Sequence, residues 1–263
     1  MAGSIEDNAA LYKKKTFTYI PPSPPAQLIK STSYTLDFTA RKFIHVGIDP
    51  TDNFQTVIHF LASSRHVKMS SEFLRRIFSM MGNILSFILD IPQLYKRTLF
   101  LETDSHKLSS MVYGGISVLV IESKTEDGCR VLLNRSDLIQ LQQLECCISA
   151  SIDENDIYIK PQIINQMNHY CDYVTKEILQ VNSPPKNIHE MYIFISNVDV
   201  RQIKQNQYLS QIKLFASTQL AEICMAHLTT QNSHEVIHKY IITCRKKYLL
   251  YLFFFFLVTY RCS

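Results

Sequence analysis

The sequence predicts an α+β protein with tandem antiparallel sheet-plus-helix units followed by a mainly helical C-terminal region. Three observations predict it. Runs of alternating or continuous apolar residues, separated by turn-forming residues, fill two stretches before residue 150. Each set of runs is followed by a segment whose apolar residues recur every three or four positions. Beyond residue 150 the helical spacing dominates. At 46% hydrophobic and 19% charged, the 263-residue chain has the composition of a folded protein with sizeable cores.

Residues 1–32 read as an extended or disordered basic and proline-rich arm. Lys13, Lys14 and Lys15 precede Pro21, Pro22, Pro24 and Pro25, and each proline fixes its own φ and biases its predecessor toward extended geometry. From Tyr34 the period becomes two: Tyr34, Leu36 and Phe38 alternate with Thr35 and Asp37. Apolar runs at 43–48 and 54–61 flank the turn-rich Asp49-Pro50-Thr51-Asp52-Asn53, and a fourth run covers 65–69. Phe73, Leu74, Ile77, Phe78, Met81, Ile84, Leu85 and Ile88 then form one helical stripe, opened by Ser70 or Ser71 and ended before Pro92.

The same order recurs. Strand-like runs at 99–101, 107–113 and 116–122 lead into the turn Thr125-Glu126-Asp127-Gly128 and a partner strand at 129–133. Asn134, with Asp137 three residues on, caps a helix lined by Leu138, Ile139, Leu141, Leu144, Cys147 and Ile148. Val57 aligns with Val118, and Phe73 with Leu138, the difference in offset falling in the hairpin turn where insertions are tolerated. Residues 33–150 are therefore expected to be a duplicated sheet-and-helix domain.

Residues 151–230 read as mainly helical. Ile163, Ile164, Met167, Tyr170, Cys171, Val174 and Ile178 make one stripe opened by Pro161. A strand is expected at 192–200, and a long helix from Leu209 to His227, interrupted near Ser217. Residues 231–263 form an uncertain tail whose run at 248–260 includes four consecutive phenylalanines. Thirteen helical residues rise about 20 Å against a hydrocarbon core of roughly 30 Å, so a membrane anchor, a core strand and a gene-model artefact all remain open readings of residues 245–263.

Composition also excludes. With six glycines there is neither G-x-G-x-x-G nor a phosphate-binding P-loop, which disfavours nucleotide-dependent catalysis. Seven cysteines, an odd number without a C-x-x-C pair or regular spacing, spell neither a disulfide framework nor a zinc site. No secretory h-region lies in the first fifteen residues. A reducing nuclear or cytoplasmic location follows as the expectation. The net charge of +4 is unevenly placed: +5 in residues 1–100, −6 in 101–238 and +5 in 239–263.

The order of several strands closed by a helix, twice over in residues 33–150, resembles the Whirly and positive-cofactor families of single-stranded DNA-binding proteins. Gly115-Ile116-Ser117 is similar to a short glycine-initiated strand of such folds. The resemblance implies a single strand laid across the sheets. Binding of that kind needs cations that follow phosphates and flat groups on which bases stack. Arg41, Lys42, Phe43 and His45 in one run, with Arg65, His66 and Lys68 in another, are the residues expected to supply them if the two runs neighbour each other in one sheet, with Phe54 and Phe60 as further stacking groups. The plainer alternative is that the aromatics are core and the charges a solvated face.

His234-Glu235-Val236-Ile237-His238 has the spacing that places two imidazoles on one helix face for zinc. No histidine follows to serve as third ligand, which makes a zinc hydrolase the remote reading. No catalytic residue and no cofactor are expected. The leading expectation is a non-enzymatic intracellular protein binding single-stranded DNA or RNA. The alternative is a protein-protein scaffold or a virus- or transposon-type accessory protein, with a protein partner, a homo-oligomer or membrane contact through the tail as its associations.

Overall fold

The computed structural model describes residues 25–63, 65–90, 97–178, 180–181, 183–198 and 207–230. Two four-stranded antiparallel sheets are followed by a helical region. In the first sheet β1 (Ile29–Asp37), β2 (Lys42–Asp49), β3 (Gln55–Leu61) and β4 (His66–Ser70) lie side by side in chain order. In the second, β5 (Leu99–Glu102), β6 (His106–Tyr113), β7 (Ile116–Ser123) and β8 (Arg130–Leu133) do the same. The tandem order read from the sequence is present, and β1 begins five residues before the expected Tyr34.

Between the sheets run α1 (Ser71–Ser79) and α2 (Met81–Leu89), and after the second come α3 (Arg135–Gln143) and α4 (Glu145–Glu154). Ser70 caps α1 by accepting from the Phe73 N–H at 3.2 Å. The single helix expected over this stripe is broken at Met80, whose φ of −102° and ψ of 2° leave the α region while its N–H bonds back to Arg76 and Ile77. At α3 the capping box is complete: Asn134 Oδ1 accepts from the Asp137 N–H at 3.0 Å, and Asp137 Oδ2 accepts from the Asn134 N–H at 2.8 Å.

Helical residues continue from α4 through a π-helical turn (Asn155–Ile159) into α5 (Lys160–Ile178), followed by α6 (Ile188–Asn197), α7 (Leu209–Phe215) and α8 (Ser217–Thr230). The strand expected at 192–200 is thus corrected to a helix over 188–197. Its aromatic and β-branched content suggested a strand, but the start signal decides. Asn187 accepts from the Glu190 N–H, and Glu190 reaches back to the Lys186 N–H and the Asn187 amide. Met191 and Ile195, one turn apart, are the buried residues of this helix. The break near Ser217 is where the sequence placed it.

The compact units of the chain interleave along the sequence. The first comprises Ser33–His45 and Ile58–Cys146, with Pro25; the second comprises Ala26–Thr32, Val46–Val57 and the chain from Cys147. In the first unit α1 packs on β4, α3 on β8, and α2 on β7 and α3, so the second half of the first helical stripe packs on the second sheet. β4 also meets β7 and β8. Phe60, Val67, Met69, Leu74, Ile77, Ile84, Leu108, Leu119, Ile121, Leu133 and Leu138 are buried there.

The second unit gathers Ile29, Ile48 and Phe54 into one core with Tyr170, Cys171 and Val174 of α5, Met191 of α6, Ile212 of α7 and Leu220 and Cys224 of α8. The Tyr170 hydroxyl donates to the Ile195 carbonyl at 3.2 Å, which satisfies the polar end of a fully buried ring. The Lys30 N–H donates to Gln211 Oε1 at 2.8 Å. Gly47 is required at its position: a Cβ there would stand 2.7 Å from Leu28 Cβ and 3.2 Å from Ser31 Cα.

Candidate functional site

The residues expected to hold a nucleic acid fall in one sheet but on strands that are not neighbours. Arg41, Lys42, Phe43 and His45 belong to β2 or the turn before it, Arg65, His66 and Lys68 to β4 or its approach, and β3 lies between. β3 is buried on both faces, from Thr56 to Phe60, so no open platform connects the two groups. Individual side chains have other engagements. The Lys42 ammonium is 2.5 Å from Asp137 Oδ2, with side-chain exposures of 14% and 0%. Arg65 directs Nη1 to the Gly128 carbonyl at 3.4 Å. His66 is buried, and Lys68, half-buried, gives its carbonyl to the His106 ring.

Arg41 is exposed, and Phe43 and His45 are half-buried. Burial holds the His45 pKa below the usual histidine value. The turn before β2 closes through the Arg41 N–H donating to the Phe38 carbonyl, and Phe38 is 80% exposed. His234 and His238 lie outside the described residues.

Two further features stand out in the first unit. One is a face of the second sheet. Leu99 pairs with Ser109, Ser109 with Val120, Met111 with Val118 and Tyr113 with Ile116, so the strand pleat puts all of them on the same side. Toward the β6–β7 turn that face is uncovered: Leu99 is 52%, Tyr113 63% and Ile116 52% exposed, and Met111 is partly so. Gly114 and Gly115, at φ of +58° and +80°, make the tight two-residue turn, with open space around both Cβ positions. β5 is an edge strand of this sheet.

The other feature is a knot of polar side chains where β4 approaches the β7–β8 turn. His66 from β4, Glu126 from the turn and Cys129 just before β8 bring one ligand atom each within 4.8 Å of one another. The turn is internally braced. Ser123 Oγ accepts from the Thr125 and Glu126 N–H groups, the Cys129 N–H donates to the Glu126 carbonyl, and the Ser123 N–H donates to the Cys129 carbonyl. Gly128 supplies the left-handed φ of +77°.

Electrostatics differ across this knot. Burial pushes the Cys129 thiol up to about 11, the neighbouring Glu126 carboxylate adds to the rise, and Arg65 opposes it. Burial lowers His66, against the pull of Glu126. His106 is also lowered by burial, opposed by the Lys68 carbonyl and Glu126. A carbonyl only accepts, so His106 Nε2 carries the proton given to Lys68 at 2.6 Å, and Nδ1 accepts from the Ser105 hydroxyl at 2.8 Å. Both nitrogens of His106 are therefore used, whereas the His66 ring makes no hydrogen bond among the described residues.

Sequence reasoning missed the knot because its members are remote in the chain, and Cys129 and Glu126 carry only the local signals of a strand and a turn. It missed the apolar face because Tyr113 and Ile116 looked like ordinary strand residues. Among the described residues no helix is long and apolar enough to cross a membrane. Comparison with protein-family models, with curated proteins and with solved structures finds no match.

Proposed function

We propose that this protein is a non-catalytic binding module that docks another protein on the open end of its second sheet. The observation that carries the reading is the apolar face formed by Leu99, Met111, Tyr113 and Ile116, aligned by strand register and left uncovered. Covering the half-exposed isoleucine contributes about 1 kcal/mol, and aromatic anchors such as Tyr113 tend to dominate an interface. The paired glycines let a partner approach the turn closely, since no side chain projects there. Charges near the other end of this face are mixed in sign: Lys107 pairs with Glu122 across the strands, and Arg97 lies 3.8 Å from the same carboxylate. A polyanion gains little from that arrangement.

A photo-crosslinking amino acid placed at Tyr113 in cells should yield a discrete protein adduct that disappears when Ile116→Asp is added. The same group at Glu72, on the exposed side of α1, serves as control. Adducts at Tyr113 no stronger than at Glu72 would remove the reading. Sedimentation across concentration separates a second copy of the chain from a different partner.

A second reading, single-stranded nucleic acid, is favoured by one observation: the β1–β2 turn presents an exposed aromatic, Phe38, and an exposed guanidinium, Arg41. That pairing of a stacking surface with a cation suits a base and its phosphate. Fluorescence polarisation with single-stranded oligonucleotides should then show salt-sensitive binding that is weakened by Phe38→Ala. Binding absent at micromolar protein would dismiss it.

A further inference from the structure

We propose that His66, Glu126 and Cys129 form a zinc-binding site that ties β4 to the β7–β8 turn. The three side chains offer one nitrogen, one oxygen and one sulfur, a mixture that suits a borderline ion such as zinc better than calcium or magnesium, which take oxygen ligands. Their ligand atoms lie within 4.8 Å of one another. Zinc bond lengths near 2.0–2.3 Å and tetrahedral angles require separations of roughly 3.3–3.8 Å. The closure needed is about an ångström, and Glu126, exposed at the turn, is the member with room to move.

Geometry selects these residues over their neighbours. His66 and Cys129 are buried, so their ligand atoms are held by packing and not by solvent-exposed rotamers. The His66 ring makes no hydrogen bond among the described residues, while the nearby His106 has both nitrogens committed. The turn is fixed by the bonds from Ser123 and between Cys129 and Glu126, which set Glu126 and Cys129 on one side before any ion arrives. Coordination breaks the Cys129 S–H bond, forms the S–Zn bond and releases one proton to solvent. The thiolate and the Glu126 carboxylate then neutralise the two charges of the ion, and Arg65, turned to the Gly128 carbonyl, remains outside the ligand set. Three protein ligands leave the fourth position to water.

The test is titration of the purified, chelator-treated full-length chain with cobalt chloride and zinc chloride. The expected result is one equivalent of cobalt with a thiolate-to-cobalt charge-transfer band, displaced by zinc. The band should persist in His234→Ala/His238→Ala and in Cys146→Ser/Cys147→Ser, which removes the other histidine pair and the exposed thiols. It should vanish in Cys129→Ser and in His66→Gln. Glu126→Gln, an exposed change that leaves the fold intact, should keep the band with affinity reduced about tenfold or more. Absence of a band in the unaltered chain, a band that survives Cys129→Ser, or unchanged affinity in Glu126→Gln each overturns the site.

Discussion

Removing the Lys42 ammonium tests the packing of the first unit most directly. Lys42 enters from the start of β2, while Asp137 sits at the third position of α3, and the two meet 2.5 Å apart with the carboxylate wholly buried. Lys42→Met keeps the length and apolar stem of the side chain but deletes its charge. Asp137 would then retain the Asn134 N–H as partner and lose its counter-ion. Breaking a buried pair on one side costs about 3–5 kcal/mol, and the partial exposure of Lys42 places the expected loss at the lower end, about 3 kcal/mol. Asp137→Leu removes the pair and half of the capping box, adding about 1 kcal/mol for the cap. In the double variant no charge is stranded, so its cost should fall well below the sum of the single changes. Urea unfolding followed by far-ultraviolet circular dichroism measures all three. A loss under about 0.5 kcal/mol for Lys42→Met, or additive single changes, would refute the claim that this is a coupled buried pair.

Three further outcomes are expected. Gly47→Ala should destabilise the second unit by about 1–3 kcal/mol, because the added methyl meets Leu28 Cβ and the Ser31 backbone; a neutral result in thermal unfolding would show that β2 can shift there. Tyr170→Phe should cost about 1 kcal/mol by deleting the buried hydroxyl's bond to the Ile195 carbonyl, which keeps only the Val198 N–H, and a stability equal to the original would mean that this bond contributes nothing net. His45 and His106 both titrate below the ordinary value of 6.5 in the folded chain because burial disfavours their charged forms. The unfolded chain then takes up protons first, so stability should decline as pH falls from about 6.5 toward the lower folded values; urea midpoints that stay level or rise on acidification would contradict this.

Much of the fold is legible locally. The turn at 49–53 and the capping box at Asn134 each specify structure through neighbours in sequence and appear in place, whereas the alternation from Tyr34 holds through Leu36 and fails at Phe38, which leaves the strand and stands exposed in the turn. The break at Met80 leaves no such mark, since neither glycine nor proline stands there and the apolar stripe runs on through it. At 188–197 the aromatic and β-branched side chains favour a strand, while the Asn187 start signal favours the helix that forms. The candidate sites were less legible for a different reason. Asp137 advertises its role as a cap, but nothing local reveals that Lys42 would reach it. His66 and Cys129 acquire a relation only through the meeting of β4 with the β7–β8 turn.

The interleaved core of the second unit bears on how the chain is made. Ile29, Ile48 and Phe54 emerge from the ribosome long before Tyr170, Ile212 and Cys224, the residues that bury them. Early in synthesis these three side chains have no permanent cover, and loop closure must span more than a hundred residues of intervening chain before they gain it. A nascent chain that has passed Cys146 holds every residue of the first unit yet still presents sticky apolar surface from within its own early strands. Translation past α8 is therefore the step that ends its exposure to chaperones and to aggregation, and a stop codon shortly after Cys146 would leave that exposure permanent.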